Sequence, residues 1–410
     1  MRDNDMDRRT LLRRTGLAAA AGAAVPLLGV PGGSALAASS DPDALFKTGR
    51  FAEADRDYAA LLRTDPDDAH AVARRGYIAL LSNEFTTAER FLTRAVELTP
   101  DDTFSRRQLV DCYVRQDQLA RAVPLLGDSP DAAVYAAITG RPFETHGAQA
   151  TSVPFIDVDP LPHIDASLNG AAPSRFYLDT GGTLNLSTDT AQQLGLRALA
   201  TSQAFLGGQL VTTYLGVLNS LRLGDIELRN LPVHWHDSDR NVMGTSIFYH
   251  FVTTMDYANK SLVLRRKTRE QVRQVRSAAA RHGARPQPLW LADGHFPFTL
   301  GTLNGYGPAV VELDTGVPSL GVTTTAEMAT RAGVAIDYSK PIPFIGTTGY
   351  AITPPTVSID GVVGRQVPGV AAPVTLYDRV QFDTLANFSH QYLRTSTLTF
   401  DYADMNLYLW

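Results

Sequence analysis

Cysteine is nearly missing from this chain: Cys112 is the only one in 410 residues. An internal disulfide and a cysteine-based zinc cluster are thereby excluded, and a chain of this length can hold its fold by apolar burial instead. After residue 40 no apolar run is long enough to cross a bilayer. A surplus of positive charge is missing too. Lys and Arg number 37 against 42 Asp and Glu, a formal net charge of −5, so no overall attraction for nucleic acid exists. Gly-x-Ser-x-Gly, His-Glu-x-x-His and phosphate-cradling glycine loops do not occur, which removes the usual signatures of serine hydrolases, zinc hydrolases and nucleotide sites.

What is present begins with a leader. Paired arginines (Arg8, Arg9), a short Ala/Leu-rich run and Ala35-Leu36-Ala37 have the layout of a twin-arginine export signal over 1–37. Pro26 and the many small residues make a permanent membrane span the weaker reading. Cleavage after Ala37 would remove five basic and three acidic residues and leave a net charge of −7. The expectation is a protein exported to the periplasm, the cell surface or beyond, with no membrane attachment once the signal is gone.

Over 41–128 a helical pattern repeats every 34 residues: Gly49, Asn83 and Asp117; Phe51, Phe85 and Leu119; Ala54, Ala88 and Ala122. Pro66 and Pro100 close successive units. Small residues at the Ala positions let two helices approach, and Pro stops the second helix of each pair. The segment resembles tetratricopeptide repeats, which implies a groove for a peptide or partner protein. A packing platform for the following domain is the alternative, and a tethered regulator or substrate selector a third. Gly, Pro, Thr and Ser then accumulate, and 129–150 reads as a linker.

Beyond 150 the chain is strand-like and duplicated. Between 162–181 and 297–316, nine of twenty positions are identical, ending in Leu178-Asp179-Thr180-Gly181 and Leu313-Asp314-Thr315-Gly316. The likeness continues through a short helix, a glycine-containing hairpin and a terminal strand pair. The predicted fold is therefore multidomain α + β: helical hairpins, then a bilobal, mostly β domain with pseudo-two-fold symmetry. Its lobes span 151–266 and 287–410, joined by a basic helical connector at 267–286 that reads as a solvated linker rather than a phosphate or acidic-lipid site. An apolar strand delivers each Asp, and Gly181 and Gly316 supply conformational freedom and close backbone approach. A pseudo-two-fold axis would set Asp179 against Asp314.

An apolar strand, Asp-Thr-Gly and an Ala-x-x-Leu-Gly-Leu helix, with the Asp-Thr-Gly repeated in register, resemble aspartic proteases of the retropepsin and pepsin type. That resemblance implies a monomer carrying both lobes. Asp179 and Asp314 would be a catalytic dyad hydrolysing a peptide or protein substrate without metal or cofactor. Thr180 and Thr315 would brace the loops together with Gly181 and Gly316. It also implies hairpin flaps, with Gly207, Gly208 and Tyr214 in one and Gly346, Gly349 and Tyr350 in the other. Ordinary surface hairpins are the alternative there, and for the whole domain a non-catalytic binding module using the same cleft. Three departures stand out: Gly182 follows the first motif and Val317-Pro318 the second; Thr183 has no hydroxyl counterpart at Pro318, though Ser319 is adjacent; and Val242-Met243-Gly244 is answered in lobe two by Ala386 or Asn387 where glycine belongs. His234 and His236, with Asp237 and Asp239 nearby, would seed a metal site only with a further ligand set, which the sequence does not supply.

Overall fold

The computed structural model describes residues 41–206, 208–375 and 377–410; the leader expected at 1–37 lies outside them. Among the described residues seven helices come first: Pro42–Lys47, Phe51–Thr64, Ala69–Leu81, Phe85–Leu98, Thr103–Val114, Leu119–Leu126 and Pro130–Ala137. The repeat spacing has a concrete local cause. Asp68 and Asp102 each cap the helix that follows, accepting from Ala71 N and from Phe104 N and Ser105 N, which satisfies amides no helix can. The turn residues Gly49, Asn83 and Asp117 all have positive φ (79°, 57° and 58°), where Gly, Asn and Asp are tolerated. Ala54, Ala88 and Ala122 are completely buried between helices.

The stretch expected as a linker is structured. Pro130 opens a helix at its first position, where its missing N–H costs nothing. Glu144–Gly147 then pairs antiparallel with Ile226–Arg229 of the first lobe. Helix Arg269–Arg281 lies between the lobes and buries Val272, Val275 and Ala279.

The β region forms an eight-stranded sheet in lobe one, a ten-stranded sheet in lobe two and a six-stranded sheet to which both halves contribute. In the shared sheet Phe251–Asp256 runs antiparallel to Thr397–Asp401, and Thr254 pairs with Thr399. Those two residues occupy the same place in the two copies of the sequence, so the pseudo-two-fold axis passes between them; their hydroxyls are 2.9 Å apart. Each Leu-Asn-Gly is a tight turn, with Asn169 and Gly170 at φ 50° and 75° and Asn304 and Gly305 at 50° and 78°, the conformation hairpins favour.

The helices pack on the strands through one apolar cluster joining Phe46, Phe51 and Tyr77 to Phe298, Val310, Val380 and Phe382. Phe51 and Phe382 meet edge to face at 5.2 Å. Burying each such ring contributes about 2 to 3 kcal/mol. The three repeat-turn residues face the same way: a Cβ on Gly49 would lie 2.2 Å from Val310, Asn83 Nδ2 donates to Met405 Sδ at 2.8 Å, and Asp117 is 3.7 Å from His250.

Candidate active site

Strand Ser174–Asp179 buries Phe176 and Leu178 and turns Tyr177 and Asp179 to the opposite face; Tyr306–Asp314 does the same with Val311 and Leu313 against Glu312 and Asp314. Alternation thus presents the two carboxyls while the apolar neighbours anchor the backbone. The loops beyond are tied to each other. Thr180 N donates to Thr315 Oγ1 at 3.1 Å and Thr315 N to Thr180 Oγ1 at 3.0 Å. Each hydroxyl then donates across the axis, Thr180 to Leu313 O at 2.7 Å and Thr315 to Leu178 O at 3.1 Å. Both threonines are fully buried, so every polar atom of this brace is used inside the core, where an unmade bond is costly.

The brace brings Asp179 and Asp314 within hydrogen-bonding reach of one another. Gly181 N donates to Asp179 Oδ1 at 2.8 Å and Gly316 N to Asp314 Oδ1 at 2.7 Å. The two glycines serve close approach and not an unusual backbone: neither has positive φ, which corrects half of the sequence expectation. A Cβ on Gly316 would sit 2.2 Å from Asp179 Cγ, and one on Gly181 2.9 Å from Asp314 Cγ. Each lobe's glycine makes room for the other lobe's carboxyl. Burial, followed by the charge of Asp314, holds the Asp179 carboxyl well above the ordinary carboxylate range.

The outer partners differ between lobes. In lobe one, Asp179 is aligned with Gly244, whose Cβ would collide with Gly182 O at 2.0 Å, and Thr245 Oγ1 donates to Thr180 O at 2.7 Å. In lobe two the register aligns Asp314 with Ser389 and Glu312 with Asn387. The glycine position is therefore filled by Ser389, correcting the expectation of Ala386 or Asn387. Thr183 Oγ1 accepts from Asn185 at 2.9 Å. Ser319 is exposed, at φ 64°.

Three residues with no role at the dyad in the sequence reading stand at the site. Glu312, 7% exposed, is pushed up to about 8 by burial first and by Asp314 second. Asn387 Nδ2 donates to Glu312 Oε2 at 3.0 Å and to Asp314 Oδ2 at 3.1 Å. His295 lies at the Gly181 backbone, and burial above all brings its ring down to about 4, so it is neutral. The Glu312 signal was legible: it is the one charged residue in Ala-Val-Val-Glu-Leu, directly before the motif.

The hairpins expected as flaps are Ala200–Leu206 with Gln209–Leu223, and Ile336–Phe344 with Thr347–Ile352. Gly207 lies outside the described residues. The tips touch: a Cβ on Gly208 would be 2.2 Å from Gly346 N, and one on Gly346 3.0 Å from Gly208 Cα. Leu210 and Ile345 stand exposed beside the tips. Gly349 is buried in its strand, where a Cβ would meet Val370 at 2.4 Å. Tyr214 stacks on Trp235 of the neighbouring strand Ile226–His236 at 6.0 Å, and Tyr350 contacts Tyr338 of its own hairpin at 5.0 Å. Among the described residues no cluster of three or more His, Cys, Asp or Glu is arranged to hold a metal.

Residues 164–247 match the family model described as aspartyl protease. That match falls within the first lobe and contains Asp179 and Gly244, and it supports an aspartic-protease-like lobe there. Among similar solved structures is a retropepsin-like aspartic protease from Rickettsia conorii, 22% identical, covering 30% of this chain and 94% of that one, with a TM-score of 0.24. Two seed globulins are also similar: basic 7S globulin from soybean (10% identity, 65% of this chain and 95% of that one, TM-score 0.36) and conglutin gamma from lupine (9%, 64% and 94%, TM-score 0.40). No curated protein matches the chain significantly.

Proposed function

We propose that this chain is an exported, monomeric aspartic endopeptidase that hydrolyses peptide bonds with a water held between Asp179 and Asp314. One observation carries the reading: the reciprocal threonine brace, which holds the two carboxyls close enough to share a proton. Two carboxyls so placed do not both ionise, and aspartic proteases are themselves the standard example of that rule. The ionised member takes a proton from water as the water oxygen bonds to the scissile carbonyl carbon. The protonated member gives its proton to the carbonyl oxygen. The first carboxyl then passes its proton to the amide nitrogen as the C–N bond breaks, and the second, now ionised, takes back a proton from a gem-diol hydroxyl, leaving the carboxylic acid and the starting pair. The touching hairpin tips would roof a bound peptide against solvent and must part to admit it.

The helical repeats serve in this reading as a packing platform, supported by the turn residues Gly49, Asn83 and Asp117 all facing the strands. Export is proposed from the leader sequence.

Turnover of a mixed peptide library from acidic to neutral pH tests the activity. Asp179→Asn and Asp314→Asn should each lower kcat/KM by about a hundred- to ten-thousandfold, and a statine-type peptide mimicking the tetrahedral intermediate should inhibit. Turnover equal in wild type and both variants would remove the dyad from the chemistry.

A further inference from the structure

We propose that Asn387 is a positioning residue that keeps the negative charge of the resting dyad on Asp314 and the proton on Asp179. The proposal rests on the dyad reading above and adds to it a fixed division of labour.

Its basis is a count of donors. Asp314 receives two N–H groups, from Gly316 on Oδ1 at 2.7 Å and from Asn387 on Oδ2 at 3.1 Å. Asp179 receives one, from Gly181 at 2.8 Å, and its other bond is with Asp314 itself. Hydrogen bonds donated to a carboxylate favour its ionised form. The Asn387 amide cannot simply turn over, because its Oδ1 accepts from Ser389 Oγ at 2.6 Å and its second N–H is taken by Glu312 at 3.0 Å. Ser389 is fully buried. Among the described residues of lobe one there is no equivalent, for Val242 pairs with Tyr177 and Gly244 with Asp179.

The charged groups around this amide agree with the assignment. Glu312, pushed up by burial, is protonated over the acidic and neutral range and adds no charge beside Asp314. Arg379, on helix Tyr377–Val380 before Asn387, acts on Glu312 in the opposite direction but is ion-paired with Asp293. His295, at the Gly181 backbone, is neutral. In the resting site Asp314 is then the group that accepts the water proton, and Asp179 the one that protonates the carbonyl oxygen.

Carboxyl-13C-aspartate labelling of the full chain tests this directly, with the two signals assigned through Asp179→Asn and Asp314→Asn. The expected result is that Asp179 is the member that keeps its proton to the higher pH. In Asn387→Val, with the side chain lobe one carries at this place, the lower midpoint should rise by about one pH unit and the gap should narrow. Glu312→Gln should keep the wild-type order. Asp179 titrating first in the wild type, or an unmoved midpoint in folded Asn387→Val, overturns the proposal. The wild-type order decides even where the valine variant fails to fold. Because this readout needs no turnover, an inactive protein would sink the endopeptidase reading while leaving the proton assignment measurable.

Discussion

The two lobes share a plan and differ most in one connection. In lobe one the strand ending at His236 is followed, after only 237–240, by Asn241–Gly244, which flanks the aspartate strand. In lobe two the corresponding connection runs from 372 to 385 and carries helix Tyr377–Val380 and the buried Phe382. The longer connection is where the helical repeats dock: Tyr77 OH donates to Val380 O at 3.0 Å and Arg107 Nη2 to Arg379 O at 2.8 Å. The residues next to the carboxyls diverge as well, Tyr177 and Val242 in one lobe against Glu312 and Asn387 in the other. The threonine brace, by contrast, is matched bond for bond. Symmetry is kept where the chemistry must meet on the axis and given up where one lobe has an extra domain to hold.

The largest contrast between lobes should appear in stability. Phe382→Ala removes a ring that contacts Phe46, Phe51 and Phe298 and should cost about 3 to 5 kcal/mol in denaturant unfolding. Asp237→Ala, on the short exposed connection of lobe one, should change stability by no more than about 0.5 kcal/mol. Equal effects would break the comparison.

The next contrast is in the glycines. Gly316→Ala places a methyl 2.2 Å from Asp179 Cγ, against 2.9 Å from Asp314 Cγ for Gly181→Ala. Displacing a reacting group by about an ångström costs on the order of a hundredfold, so Gly316→Ala should lose about a hundredfold in kcat/KM and Gly181→Ala clearly less. Steady-state kinetics on both would reverse the ranking if lobe two is the more forgiving.

The smallest concerns pH. Glu312 is raised from 4.5 to about 8 in the folded protein, so folding favours its protonated form. Its contribution is complete below about pH 4.5 and fades as pH climbs toward 8. Glu312→Gln should flatten that decline, gaining roughly 3 kcal/mol relative to wild type between pH 5 and 8 in urea titrations. An identical slope in both proteins would show that Glu312 is ionised throughout.

Much of the site was legible because duplication marks it twice: Asp179, Asp314 and both threonines stand in copies that align without a gap, and alternation along an apolar strand dictates which side chains face the cleft. The turns were legible for the same local reason, since Asn-Gly and the capping aspartates act within a few residues. Ser389 was misplaced because the inserted connection before it breaks the alignment of the two copies, and only strand register restores it. Helix Pro130–Ala137 was lost under its Ser-Pro and Gly-rich flanks. The role of Asn387 depends on a neighbouring strand 73 residues away, a contact no local pattern announces.

Thr254 facing Thr399 has a consequence of its own. A strand that hydrogen-bonds its own counterpart across a dyad is the seam by which two identical subunits join. The ancestral half-molecule could thus have worked only in pairs, each copy lending the other its missing wall. Once both copies were spliced into one polypeptide, a change in either no longer had to be repeated in its twin, and one half became free to acquire cargo that the other could not have tolerated.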